Sequence, residues 1–146
     1  MITVLVADDH SYIRKGIGDL LEASPDIKVL ATAANGIEAV AKARSLQPDV
    51  VIIDISMPFM GGIEATKQIR ENHPPTHVLA LSIYDNPDYI ESALQAGATG
   101  YILKDAIPNE LIEAIYALYR GGRYFSQKIA HVIDPYSEED NDSRIG

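Results

Sequence analysis

A run of four β-branched residues at 50–53 constrains the fold more than any other stretch of this sequence. Asp54 ends the run and Pro58 prevents a longer strand. Short, uninterrupted apolar runs are typical of central strands in parallel sheets, which are buried on both faces. An Asp after such a strand is often only a turn former. Ligands of these sheets bind at the carboxyl ends of the strands, so Asp54 becomes a candidate for chemistry if other strands bring partners to that edge.

The rest of the chain alternates between strand and helix patterns. Five strands are predicted, at residues 2–7, 27–33, 50–54, 77–82 and 100–103. A helical apolar period follows each strand, and Asn35 with Glu38 resembles a capping box at the start of the second helix. Short connections between alternating elements predict an α/β fold with a doubly wound, five-stranded parallel sheet.

Composition limits the class of protein. The 146 residues, 47% of them apolar, suit one domain. The absence of cysteine excludes disulfides, thiolate catalysis and cysteine-ligated metals. A net charge of −9 opposes direct binding to nucleic acid. The apolar runs are too short to span a membrane, so we expect a soluble, cytoplasmic protein without membrane association.

Polar side chains follow four of the five predicted strands. Asp8 and Asp9 come after the first, Asp54 ends the third, Ser82 ends the fourth, and Lys104 follows the fifth. Two carboxylates about 4 Å apart repel by about 4 kcal/mol at an effective dielectric constant of about 20, so the cluster requires cations. An acidic, all-oxygen site suits Mg²⁺, and Lys104 adds a second positive charge.

A site of this composition can bind and accept a phosphoryl group. Carboxylates form aspartyl phosphates, which makes Asp54 the candidate nucleophile. Lys104 and the Ser82 hydroxyl could stabilise charge on the transferring oxygens. We expect no catalytic duty for His10, because a carboxylate nucleophile has no proton to lose.

The motifs resemble the receiver domain of two-component response regulators, which has a flavodoxin-like (βα)5 fold. Asp8-Asp9, Asp54 with Met57-Pro58 and Gly61-Gly62, Ser82 and Lys104 carry the resemblance, which covers residues 2–121. The segment at 120–125 further resembles the NarL/FixJ branch. Members of that branch usually continue into a LuxR-type helix-turn-helix, which is absent from this chain.

The resemblance implies that Asp54 accepts phosphate from a sensor histidine kinase or a phosphotransfer protein. It further implies that Asp9, Asp54 and the Ser56 backbone carbonyl ligate Mg²⁺ directly, while Asp8 acts mainly through water. Lys104 would contact the phosphoryl group. The protein would then be a phosphoacceptor that assists its own phosphorylation and dephosphorylation, and not an enzyme proper.

The resemblance also assigns a switch. Ser82 would be the switch hydroxyl, and Tyr101 the aromatic residue that moves with it. The response would reach a surface formed by the fourth helix, fifth strand and fifth helix, where a homodimer or an output domain could dock. The candidate contacts there are Tyr116, Tyr119 and residues 83–84. Ser56 and Tyr84, which would flank the approach of water, are predicted to tune the lifetime of the phosphorylated state.

The predicted receiver domain spans residues 1–122. Residues 123–146 are interpreted as a C-terminal extension or linker that could contain a short helix at 126–133, followed by an acidic tail.

Three alternatives stay open beside transcription regulation in a full-length protein. One is a stand-alone phosphorelay receiver without a DNA-binding output. A second, less favoured, is an aspartate-nucleophile phosphohydrolase of the haloacid-dehalogenase kind, in which a second Asp usually stands where this chain has Ser56. The third is a flavodoxin-like cofactor binder, which the anionic Asp8-Asp9-His10 turn disfavours.

Overall fold

The computed structural model describes residues 1–130, so the end of the predicted 126–133 helix and the predicted acidic tail lie outside the described residues. The strands are β1 (Ile2–Ala7), β2 (Ile27–Ala33), β3 (Val50–Asp54), β4 (His77–Ser82), β5 (Gly100–Leu103) and β6 (Tyr124–Phe125). The helices are α1 (Ser11–Glu22), α2 (Gly36–Leu46), α3 (Gly62–Asn72), α4 (Pro87–Ala96) and α5 (Ile107–Tyr119), with a 3₁₀ turn (Lys104–Ala106) before α5.

The sheet is parallel and runs in the order β2-β1-β3-β4-β5-β6. The α/β fold is confirmed, but the predicted number of five strands is wrong, because β6 adds a sixth. It pairs Tyr124 with Gly100 and Phe125 with Tyr101. Two residues are too few to show a strand period, so only their contact with β5 reveals them. The predicted domain boundary at residue 122 stays a prediction, although β6 lies beyond it.

The sheet separates two apolar layers. One layer packs α2, α3 and α4 on the sheet, and the other packs α1 and α5 on the opposite face. All five residues of β3 are buried, as the β-branched run predicts. Among residues 1–130, no helix has both the length and the apolar character needed to cross a membrane.

Local signals set the helix ends. Asn35 Oδ1 accepts a 2.9 Å hydrogen bond from the Glu38 backbone N–H, which confirms the predicted cap. The return bond differs from the usual capping box, because Glu38 accepts from the Asn35 side-chain amide instead of the backbone N–H. Gly97 ends α4 with φ at 114°, a left-handed conformation that favours glycine.

Candidate functional site

The carboxyl edge of the sheet gathers the predicted acidic side chains. Asp8 and Asp9 follow β1 and Asp54 ends β3, the adjacent strand. One ligand atom from each of Asp8, Asp9, His10 and Asp54 lies within 4.8 Å of the others. The Asp8 and Asp54 side chains are buried, whereas Asp9 is more accessible. The structure therefore brings the three predicted acids together at one edge of the sheet.

Lys104 joins two of these acids. Its Nζ lies 2.9 Å from Asp8 Oδ2 and donates a 3.0 Å hydrogen bond to Asp54 Oδ2. The side chain is 14% exposed, so its charge acts in a partly desolvated environment. One cation thus faces two buried anions, and Asp9 adds a third carboxylate at the same edge.

The second carboxylate oxygen of Asp54, Oδ1, is bound by the backbone two residues further along the chain. The Ser56 backbone N–H donates a 3.0 Å hydrogen bond to Asp54 Oδ1. Gly62 allows this turn to lie close to the start of α3, since a Cβ there would come within 2.1 Å of the Asp54 carbonyl oxygen. The carboxylate is therefore fixed from both sides, by Lys104 and by the backbone of Ser56.

Burial and neighbouring charges shift the pKa values of Asp54 and Lys104. Burial raises the pKa of Asp54, and the Asp8 charge adds to the rise, while the bonds from Ser56 and Lys104 oppose it. Burial acts to lower the pKa of Lys104, but its contacts with the Asp8 and Asp54 carboxylates outweigh burial and leave that pKa raised. Lys104 is therefore an ammonium group at neutral pH.

The cluster has the donor chemistry that a hard divalent cation requires. Asp8 Oδ2 is buried and makes no hydrogen bond in the described structure, because its contact with Lys104 is an ion pair outside hydrogen-bond geometry. Carboxylate oxygens of Asp8, Asp9 and Asp54 converge there, and Mg²⁺ prefers oxygen ligands in proteins. These residues fit the metal that the sequence predicts.

His10 also lies in this cluster, although the sequence analysis expected no catalytic role for it. Its Nδ1 is 3.1 Å from both Asp8 Oδ1 and Asp9 Oδ1, and its backbone N–H donates a 2.8 Å bond to Asp8 Oδ1. The only sequence signal for this placement of His10 was its position beside two acids. The contacts indicate that His10 orients the Asp8-Asp9 turn.

The predicted switch residues form a hydrogen-bonded group next to the acids. Ser82 is buried, and its Oγ accepts a 2.8 Å bond from the Tyr84 backbone N–H. The Tyr101 hydroxyl donates a 2.8 Å bond to the Tyr84 carbonyl oxygen. The Tyr101 side chain is fully buried, and burial raises its pKa to about 12. The Tyr101 ring is therefore already buried inside the fold in this structure.

The two predicted lifetime residues have different surroundings. Ser56 is exposed, whereas Tyr84 is half-buried and stacks on Tyr89, with ring centroids 4.3 Å apart and planes 10° from parallel. Stacking holds the Tyr84 ring in one orientation.

Phe59 is a feature of this edge that the sequence interpretation missed. It lies in the loop between β3 and α3 with φ at 68°, and its side chain is 86% exposed. A bulky residue in the left-handed region is strained, because its Cβ approaches the following carbonyl. Sequence periodicity carries no signal for such a conformation.

Comparison with known proteins places these observations in a family context. The family model described as the response regulator receiver domain matches residues 4–116. The chain is 36% identical over 151 residues to the transcriptional regulatory protein DegU of Brevibacillus brevis, covering 99% of this chain and 64% of DegU. It is 42% identical over 133 residues to the response regulator GacA of Pseudomonas protegens, covering 91% of this chain and 62% of GacA.

A solved structure shows the same architecture. The crystal structure of a two-component response regulator of the LuxR family from Aurantimonas sp. SI85-9A1 aligns with a TM-score of 0.87 at 36% sequence identity. The alignment covers 92% of this chain and 96% of that chain. By contrast, this chain spans less than two thirds of the length of the two curated relatives.

Proposed function

This chain belongs to the response regulator receiver domain family, and from that premise we propose that Asp54 accepts a phosphoryl group from a sensor histidine kinase or a phosphotransfer protein. The observation that carries the proposal is the contact of Lys104 Nζ with both Asp8 and Asp54 at the carboxyl edge of the sheet. A fixed ammonium beside a buried carboxylate attracts a phosphoryl group to that carboxylate.

The transfer is a displacement at phosphorus. A carboxylate oxygen of Asp54 forms the new P–O bond, while the bond between phosphorus and the donor atom breaks and its electron pair leaves with the donor. Lys104 exchanges its contact with Asp54 Oδ2 for the phosphoryl oxygens, whose negative charge it balances. The Ser82 hydroxyl donates a hydrogen bond to one of these oxygens once it turns from the Tyr84 N–H.

The acidic cluster holds Mg²⁺ in this proposal. Asp9, Asp54 and the Ser56 carbonyl would hold the metal directly, and Asp8 would act mainly through water. When bound, the metal supplies positive charge that lets an anionic donor approach three carboxylates. Dephosphorylation uses the same residues, and Ser56 and Tyr84 set its rate through the access of water to phosphorus.

The response passes from Ser82 and Tyr101 to the surface of α4, β5 and α5. Exposed side chains available there to a second receiver or an output domain are Ile83 and Tyr119. Tyr116 is partly engaged, since its hydroxyl donates a 2.5 Å hydrogen bond to Asp26 Oδ1. Within residues 1–130, β6 covers the edge of β5, so a homodimer at this surface would use helix side chains and not strand pairing.

Transcription regulation is the output that the relatives favour. DegU is named a transcriptional regulatory protein, and the Aurantimonas structure belongs to a LuxR-family regulator. We propose the same output for the protein in which this receiver acts. A stand-alone phosphorelay module is the second candidate, and membership of the receiver family argues against a phosphohydrolase.

The test is labelling with acetyl phosphate, followed by intact-mass measurement with and without Mg²⁺. Wild type should gain one phosphoryl group only with Mg²⁺, and Asp54→Asn should gain none. Asp19→Asn, which changes an exposed acid on α1, is the control and should label like wild type. Equal labelling of wild type and Asp54→Asn would refute the assignment.

A further inference from the structure

The segment after α5 folds back along the sheet. We name residues 124–130 the C-terminal strap. Its β6 pairs with β5, and the Tyr124 N–H donates a 3.2 Å bond to the Thr99 carbonyl. Ile129 is fully buried and packs in the same apolar layer as Tyr101 and Leu103. The strap is therefore part of the folded receiver, although it lies beyond the residues that the family model matches.

Ser126 makes the connection closest to the phosphoryl site. It is fully buried, its backbone N–H donates a 3.0 Å bond to the Tyr101 carbonyl, and its Oγ accepts a 3.0 Å bond from the Leu103 N–H. In a longer strand a backbone carbonyl would accept from Leu103. Because β6 ends at Phe125, the Ser126 hydroxyl takes that place.

These two bonds hold the β5 backbone between Tyr101, the predicted switch residue, and Lys104. Tyr101 carries the buried switch ring, and Leu103 is followed directly by Lys104, whose ammonium contacts Asp8 and Asp54. A second link lies just beyond, where Lys128 Nζ is 2.9 Å from Asp105 Oδ2. The path from the strap to the Asp54 carboxylate thus passes through two hydrogen bonds, one at each end, with one peptide unit and the Lys104 side chain between them.

We propose that Ser126 is a positioning residue for Lys104. Through this residue, the C-terminal strap couples the phosphorylation state of Asp54 to the residues that follow the strap. The proposal rests on the function proposed above. When Lys104 transfers its contact to a phosphoryl group, the backbone at Leu103 shifts and changes how tightly Ser126 is held. By linkage the effect is mutual, so the strap in turn alters the phosphorylation of Asp54.

The first test removes the hydroxyl. Ser126→Ala leaves the Leu103 N–H buried without its acceptor, and Lys104 loses its fixed position. We expect phosphorylation by saturating acetyl phosphate to slow by roughly tenfold, since small displacements of a catalytic group cost large factors in rate. The half-saturating donor concentration should change less than the maximal rate.

Thr76→Val is the matched control, because it also removes a buried hydroxyl. Thr76 Oγ1 donates a 2.7 Å bond to the Pro48 carbonyl and lies just before β4, at the opposite edge of the sheet. We expect Thr76→Val to lose about as much stability as Ser126→Ala. Its phosphorylation rate should nevertheless stay within about twofold of the wild-type rate. An unchanged rate in Ser126→Ala, or equal slowing in both variants, would overturn the proposal.

The second test uses wild type and does not depend on a variant that folds. Amide hydrogen exchange is measured with Mg²⁺, with and without beryllofluoride as a phosphoryl mimic. Exchange at Leu103, Ser126 and Ile129 should change on addition of the mimic. A response confined to residues 82–85 would refute the coupling. A wild type that acetyl phosphate does not label would instead refute the proposed function itself.

Discussion

Lys104 Nζ donates a 3.0 Å hydrogen bond to Asp54 Oδ2, joining residues that stand 50 positions apart in the sequence. The same ammonium lies 2.9 Å from Asp8 Oδ2, so one positive charge is shared by two buried carboxylates. In the proposed function, the same ammonium balances the charge of the phosphoryl group. The proposal therefore makes stability and phosphoryl chemistry depend on the same charges.

Lys104→Met should destabilise the fold when Mg²⁺ is removed. Loss of the ammonium leaves Asp8 and Asp54 buried without their cation, and removal of one partner of a buried pair costs about 3 kcal/mol. Urea unfolding in a chelating buffer measures this loss. Mg²⁺ should restore part of it by binding to the acids.

The exposed pair Lys15–Asp19 supplies the control. Lys15→Met should cost less than about 1 kcal/mol with or without Mg²⁺, because exposed ion pairs contribute little. Similar losses of stability in the two variants would show that the Lys104 contacts contribute no more than an exposed ion pair.

Asp54→Asn should stabilise the Mg²⁺-free protein at neutral pH. Burial raises the pKa of Asp54 above its ordinary value of 3.8, which means that folding disfavours the ionised form. The destabilising effect of the charge exists above the raised pKa and disappears as the pH falls through it. The stability difference between variant and wild type should therefore shrink on acidification.

Urea unfolding across the acidic range follows this difference. Asp19→Asn, which changes an exposed acid, should show no comparable gain at neutral pH. An Asp54→Asn protein that is less stable than wild type at neutral pH would mean that Lys104 and Ser56 outweigh burial.

Phe59→Gly should stabilise the protein by about 1 kcal/mol, since glycine adopts a positive φ without steric cost. The Phe59 side chain is 86% exposed, so its removal loses little packing. Thermal unfolding compared with wild type is the measurement.

Gln47→Gly is the matched variant, because Gln47 is exposed and has φ at 49° at the end of α2. Both changes should raise the melting temperature. A fall at Phe59 alone would show that its ring makes a contact worth more than the backbone strain.

Tyr84→Ala should shorten the phosphorylated state, because the ring is expected to shield the phosphoryl group from water. Tyr89→Ala should shorten it less, by freeing the ring from its 4.3 Å stack. The decay of labelled protein after donor removal gives the lifetime, and Mg²⁺ affinity should stay nearly unchanged. Tyr119→Ala changes an exposed tyrosine on α5 and is the control. A Tyr84→Ala lifetime equal to that of wild type would argue against shielding.

The sequence by itself determined the alternation of elements and the edge on which the acids lie. The apolar runs at 50–53 and in the other strands are local patterns, and parallel strands place their following residues at a common edge. The sequence therefore predicts one common edge for the residues at the strand ends, which are Asp8, Asp9, Asp54, Ser82 and Lys104. Helix ends at Asn35 and Gly97 were equally local, because capping depends on neighbouring residues.

Only the tertiary structure decided the contacts that join distant parts of the chain. The two-residue β6 forms because β5 offers a free edge, and a strand this short has no period of its own. In the sequence Ser126 only begins a possible short helix, and nothing there indicates that its hydroxyl accepts a hydrogen bond from the Leu103 N–H, 23 positions away. Tyr101 is buried because the rest of the fold packs around it, whereas the exposed Phe59 has a positive φ that no sequence period signals.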